Sequence, residues 1–157
     1  MALLNVIMAA SNIGCIQPIM TALQHNDTIT LSVLIFVSLA STVSHLFETH
    51  KHGMYGFGVS KELSYFLNRL DVIGCVMLVS RFLYISPDFR MIQFNHIVIL
   101  TIAFIVNIYS EHDAHNAERK YKYMLFHCVW HFLIYKWMNV FLKTYVYYNM
   151  KNCSKYS

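Results

Sequence analysis

The sequence predicts an all-α fold: a polytopic membrane helix bundle of about five transmembrane helices. Two compositional facts and one pattern lead there. The 157 residues are 57% hydrophobic and only 13% charged, about half the charged share of a soluble domain, and the mean hydropathy is +0.43. The apolar residues also gather into runs long enough to cross a hydrocarbon core, which takes about 20 residues of helix. Several such runs use up the length, so a single integral-membrane domain over 1–157 is expected, without a separate soluble module.

The first span is expected at about 2–23. Asn5, Asn12 and Pro18 interrupt its apolar character. No Lys or Arg precedes it, as the basic segment of a signal peptide would require, so it is read as a retained helix. The second, 29–47, starts behind Asn26-Asp27-Thr28, whose side chains can cap a helix, and stops at the polar stretch 48–52. The glycine-rich stretch Gly53-Met-Tyr-Gly56-Phe-Gly58 has no strand before it and no phosphate-loop lysine, so it reads as a turn.

The third span, 63–85, carries Arg69, Asp71 and Arg81 and ends at Ser86-Pro87-Asp88. Charges at that depth require one face turned to other helices or to water. Arg81 lies about one turn from the end and is expected to snorkel outward. The fourth, 91–109, is apolar apart from Gln93, Asn95, His96 and Asn107. The fifth, 123–142, follows the polar loop 110–122 and leads into a tail of Lys, Tyr and Asn. Tyr121, Tyr123 and Trp137 near span ends suit an interfacial aromatic belt.

Composition also excludes. The net charge of +4 is spread over loops and tail, with no basic patch interleaved with aromatics. Nucleic acid is therefore not an expected partner, and anionic membrane lipids are. Of the four cysteines, Cys15, Cys75 and Cys128 lie in apolar runs and Cys153 in the tail, where they are expected to pack as small hydrophobes rather than form a disulfide framework.

The candidates for chemistry are the polar residues inside apolar runs: Ser41-x-x-x-His45, Asp71 and His127-Cys-Val-Trp-His131. Alternating spans put the end of the second, the start of the third and the start of the fifth on one membrane face. At about 1.5 Å per residue, His45, Asp71, His127 and His131 all fall within about 12 Å of that surface. Residues four apart share a helical face, so His127 and His131 project together, as do Ser41 and His45. Two imidazoles one turn apart with a third from another helix suit zinc and leave a position for water. Asp71 is placed to take a proton or to orient a ligand imidazole, and Ser41 to donate to an oxyanion or to bound water.

Each signal has a structural alternative. With 9 histidines in the chain, a His-x-x-x-His pair arises by chance in about one such chain of two. Ser41 can bond its own backbone, and Asp71 can pair with Arg69. What singles the set out is the agreement of residue type, order and depth.

Those residues carry a family resemblance. Ser-x-x-x-His on the second helix, Asp on the third and His-x-x-x-His on the last resembles the superfamily of alkaline ceramidases, adiponectin and progestin receptors and myomaker-like transmembrane proteins. His127-x-x-Trp130-His131 is similar to the His-x-x-Trp-His of the ceramidases and myomaker relatives, and Leu70-Asp71-Val-Ile-Gly74 to the Asp-x-x-Gly/Ser context of the latter. The resemblance implies zinc on His45, His127 and His131, with Ser41 and Asp71 completing the site. It also implies seven helices, whereas here one span separates the Asp helix from the histidine helix, where three are expected. Losing two adjacent helices preserves the direction of every other, so the chain reads as a shortened member.

Two further histidine groups, His50-Lys-His52 and Glu111-His112-Asp113-x-His115, fall on the same face. They are read as solvated loop residues, with a surface metal site as the rival. Lys51, Lys61, Arg119, Lys120 and Lys122 on that face against Arg90 opposite favour a cytoplasmic site, while Lys143, Lys151 and Lys155 argue the other way.

Three functional readings follow. The first is a zinc-dependent membrane hydrolase of a lipid amide or ester, with Asp71 as base and Ser41 at the oxyanion. The second is a non-enzymatic membrane-remodelling or interaction protein with a structural zinc. The third is a small multi-pass membrane protein without metal.

Overall fold

The computed structural model describes residues 2–86, 92–112 and 116–153, and among these it is helical without strands. α1 (Leu3–Ser11) passes through a 3₁₀ turn (Asn12–Cys15) into α2 (Ile16–Gln24). The turn has a cause in Pro18, which has no N–H to give the carbonyl four residues earlier and whose ring crowds it, so the helix tightens there instead of running through. α3 (Thr28–Leu46) starts at Asp27, whose side chain accepts from the Thr30 N–H at 3.0 Å, as the sequence led us to expect.

The loop from 47 to 60 folds back on the end of α3. Gly56 N–H donates to the Glu48 carbonyl and Phe57 N–H to that of Leu46. A Cβ on Gly56 would lie 2.6 Å from the Phe47 backbone carbon, so only glycine fits. α4 (Lys61–Ile85) is capped by Ser60, which accepts from Leu63 N–H at 3.2 Å. α5 (Phe94–Glu111) opens with a reciprocal cap in which Gln93 N–H donates to His96 Nδ1 at 2.9 Å. A short 3₁₀ turn (Ala117–Arg119) leads into α6 (Lys120–Cys153), so the stretch expected to be a tail continues the last helix. The expectations on Pro87, Asp88, Arg90, Met91, Asp113, His115 and Lys155 lie outside the described residues.

Among the described residues, three stretches are long and apolar enough to cross a membrane: Leu3–Gln24, Thr28–Leu46 and Phe94–Glu111. The fold is thus compatible with an integral membrane protein. Large apolar side chains on the outside, among them Ile13, Leu39, Leu83, Phe94 and Ile108, are what a lipid-facing surface carries.

The helices form a curved row. α1 and α2 pack against both α3 and α6, α4 packs on the outer side of α3, and α5 on α6. Among the described residues α4 and α5 make no extended contact, so the row is open between these two helices. α3 and α4 meet closely at Gly74, where an added Cβ would lie 3.1 Å from both Cα and Cγ2 of Val37. A small residue is what lets two membrane helices approach this way.

The main apolar core joins Cys15, Leu34, Val37, Leu78, Phe82, Tyr135, Met138 and Phe141. Trp137 stacks on Phe141 at 5.5 Å and contacts Phe82, so it packs inward where a place in an interfacial belt was expected. Arg81 does not snorkel freely. Its guanidinium reaches Asp27 with Nη2 at 2.9 and 3.0 Å from the two carboxylate oxygens, and its Nε donates to Thr30 Oγ1 at 2.9 Å. Burial opposes ionisation of Asp27, but the Thr30 hydrogen bonds and the Arg81 charge outweigh it and hold the carboxyl below its usual value. This pair ties α4 to the start of α3 at the end opposite the histidines.

Gly74→Leu should force α3 and α4 apart and cost about 1–3 kcal/mol, as overpacking of a tight contact does. It should appear as a lowered unfolding midpoint in detergent, and an unchanged midpoint would contradict the close approach.

Candidate metal centre

His45 sits in the last turn of α3, and His127 and His131 lie one turn apart near the start of α6. All three are buried, at 3%, 7% and 4% exposure. Their ring centroids are 4.6 Å apart for His45 and His127, 5.2 Å for His45 and His131, and 4.8 Å for His127 and His131. One nitrogen from each lies within 4.8 Å of the others. A tetrahedral ion with bonds of about 2.0–2.1 Å spaces its nitrogens about 3.4 Å apart. The remaining closure is within reach of imidazole side-chain rotation.

The outer partners of the rings define which nitrogen faces inward. Ser11 Oγ donates to the Met8 carbonyl at 2.6 Å and lies 2.6 Å from His131 Nδ1. Its one proton is committed to Met8, so it accepts from His131 Nδ1–H, and His131 Nε2 keeps its lone pair. His45 Nδ1 lies 3.2 Å from Glu48 Oε2, and a carboxylate only accepts, so that nitrogen also carries the proton. His45 Nε2 is left buried without a hydrogen-bond partner. His127 Nδ1 lies 3.5 Å from Glu111 Oε1 without a hydrogen bond. His45 Nε2 and His131 Nε2 keep lone pairs inside the cluster, and a buried unpartnered acceptor there suits a cation.

α1 braces the site, which the sequence reading missed. Asn5 Nδ2 donates to the carbonyls of His45 and Glu48 at 2.8 and 2.9 Å, satisfying acceptors that the end of α3 leaves free. Asn12 Nδ2 donates to Ser41 Oγ at 3.3 Å, and Tyr135 OH donates to Asn12 Oδ1 at 2.5 Å. Asn5 and Asn12 looked like interruptions of an apolar span. Their seven-residue separation, two turns along one face, was the available signal.

Glu48 was missed as well. It is 1% exposed, accepts from Tyr123 OH at 2.9 and 3.0 Å on its two oxygens, and faces His45. Burial opposes its ionisation, but the His45 hydrogen bond and the nearby Lys51 charge outweigh this and hold the carboxyl below its usual value. Tyr123, expected at the interface, is 1% exposed because its hydroxyl serves this carboxylate. Lys51 Nζ lies 2.7 Å from Glu111 Oε2 and 4.0 Å from Glu48 Oε1.

Ser41, Asp71 and the three histidines line one end of a cavity of about 920 Å³ between α3, α4, α5 and α6. Ser41 Oγ is 3.4 Å from His131 Nε2, and Asp71 interacts with both Ser41 and His45. The rest of the wall is largely apolar, with Val76, Leu83, Leu100, Phe104 and Ile134 among its residues. The cavity reaches the gap between α4 and α5, so its long apolar side opens laterally.

Among the described residues, the other histidines do not join the triad. His50 Nδ1 lies 2.9 Å from Ser64 Oγ and its ring packs on Tyr65. His52 stacks on Tyr123 at 4.4 Å and is 1% exposed. His50 is held against α4 and His52 against α6, where solvated loop residues were expected. His112 Nδ1 lies 3.0 Å from Arg119 Nη1. Among the described residues, the group able to hold a metal is His45, His127 and His131.

No protein-family model and no solved structure matches the chain. It is similar to "Uncharacterized protein L282" of Acanthamoeba polyphaga mimivirus, with 41% identity over an alignment of 150 residues that covers 91% of this chain and 99% of the relative. At that identity and coverage, the chain belongs to the family of the mimivirus protein L282.

Proposed function

We propose that this chain is a five-span membrane protein that holds zinc between α3 and α6 and hydrolyses an amide or ester bond of a membrane lipid. The observation that carries the reading is the convergence of three imidazole nitrogens, within 4.8 Å of one another, at the polar end of an apolar cavity of about 920 Å³. That is the upper range of small-molecule sites and suits an acyl chain.

Packing supports five spans. α3 and α5 are apolar enough to cross, and α4 and α6 lie along them. The 25 residues of α4 and 34 of α6 extend about 37 and 51 Å at 1.5 Å per residue, enough to cross beside them. The charges of α4 are accommodated in this arrangement, Arg81 by Asp27 and Asp71 by the polar end of the cavity.

Zinc, when bound, supplies a Lewis acid and a water of lowered pKa. The chain's own groups do the rest. Asp71 takes a proton at its carboxylate, and Ser41 Oγ donates a hydrogen bond to the oxygen that gains charge as the carbonyl is attacked. The apolar wall from Val76 to Leu83 and from Leu100 to Phe104 holds the chain of the lipid, which arrives sideways through the gap between α4 and α5. A second reading, zinc as a structural clamp in a membrane-remodelling or interaction protein, is favoured by that same gap, because it leaves the site incompletely walled against the bilayer.

Protein purified in detergent should carry about one zinc per chain, as one three-histidine site requires, and His127→Ala and His131→Ala should lose it. Absence of zinc from the unaltered protein sinks both readings. Ser41→Ala and Asp71→Ala should keep zinc and helicity and lower lipid amide or ester turnover about a hundredfold or more. Turnover that neither substitution changes would leave the clamp.

A further inference from the structure

The three histidines are held from outside by partners of different kinds. His131 leans on a neutral hydroxyl, Ser11, fixed by helix α1. His45 and His127 each face a carboxylate, Glu48 at 3.2 Å and Glu111 at 3.5 Å. Neither carboxylate is on the element that carries the other, and neither belongs to the histidine motif. Glu48 comes from the loop after α3 and Glu111 from the last turn of α5.

Both are themselves held. Glu48 is fixed by two close approaches of the Tyr123 hydroxyl, and its backbone carbonyl by Asn5. Glu111 is fixed by Lys51 at 2.7 Å, and the same ammonium lies 4.0 Å from Glu48. One lysine therefore stands between the two carboxylates as their shared counter-charge, and its loop ties the α3 end of the molecule to α5. α5 otherwise packs on α6, so Lys51 is the described contact that fixes the end of α5 relative to α3.

We infer that Glu48 and Glu111 are paired positioning residues for the metal centre, orienting His45 and His127 through Nδ1 and making Nε2 a stronger donor to the ion. An imidazole whose outer N–H is given to a carboxylate has its tautomer and ring plane fixed and its inner nitrogen more basic. His131, given only a hydroxyl, is the weaker donor of the three. The inference rests on the metal reading above and adds to it which residues outside the ligand set determine affinity and geometry.

The test is titration of metal-free protein in detergent with zinc(II), and with cobalt(II) read by its visible ligand-field bands. Glu48→Gln and Glu111→Gln keep size and one acceptor oxygen but remove the charge, and each should weaken zinc binding about 10- to 100-fold and shift the cobalt bands. Tyr123→Phe, which leaves both carboxylates in place and only frees Glu48, should cause a smaller loss and a smaller shift. Helicity and elution volume check folding in each case. If one Gln variant does not fold, the other together with Tyr123→Phe decides. Wild-type affinity with unshifted bands in the folded variants overturns this inference and leaves the metal centre standing. Failure of the unaltered protein to bind either ion overturns the metal centre and this inference with it.

Discussion

The structure depends on one constraint: an imidazole buried in a membrane bundle must have both nitrogens accounted for. Water is not available in hydrocarbon to satisfy whatever the protein leaves over. Each of the three central histidines turns Nδ1 toward a group from another part of the chain: Ser11 of α1 and Glu48 of the loop after α3 within hydrogen-bond distance, and Glu111 of α5 at 3.5 Å. Those partners need anchors in turn, which are Met8, Tyr123 and Lys51. The network pins the ends of α1, α3, α5 and α6 together at one face. It explains why polar residues recur in α1, which contributes nothing to the histidine motif itself.

The opposite end is built on a different principle. There the apolar core of Leu34, Leu78, Phe82 and Phe141 is closed by an ion pair, Arg81 with Asp27, sharing Thr30. The molecule is thus stiffened at one end by a polar network and at the other by packing and a salt bridge. In between, α4 touches α3 and α5 touches α6. The cavity lies in that middle region, with an apolar wall drawn from α4, α5 and α6.

How far the sequence foretold this depends on whether a feature was local or borrowed. The spacing of His127 and His131 and the direction of alternating spans are local facts, and they were enough to bring His45 to the same place. The Asp27 cap of α3 and the glycine-rich turn were legible for the same reason. What could not be read was the identity of partners from distant segments. Arg81 looked free to snorkel because Asp27 lies 54 positions away. Tyr123 and Trp137 looked interfacial because aromatic residues at span ends usually are, whereas here a buried carboxylate and an aromatic cluster claim them. Glu48 was hidden because a glutamate just past a span reads as solvated. Only the fold-back of the 47–60 loop, which Gly56 permits, buries it. The relation of Asn5 to Asn12 was present in the sequence as a helical face but carried no meaning until α6 supplied Tyr135.

Charge balance bears on what occupies the histidine cluster. Glu48, Glu111 and Asp71 sit on or beside the cavity with Lys51 as their nearby cation, which leaves two negative charges uncompensated if the imidazoles are neutral. Uncompensated buried ions cost several kcal/mol each, and protons on Asp71 or the imidazoles, or one divalent cation, would offset the pair. Protons have poor seats on Glu48 and Glu111. Glu48 already accepts on both oxygens from Tyr123 and His45, and Glu111 accepts from Lys51, so protonating either exchanges an acceptor for a donor facing another donor. Within the proposed metal centre, one divalent ion at the histidine nitrogens would offset both excess charges at once, where protons would have to be taken up one at a time by Asp71 and the imidazoles.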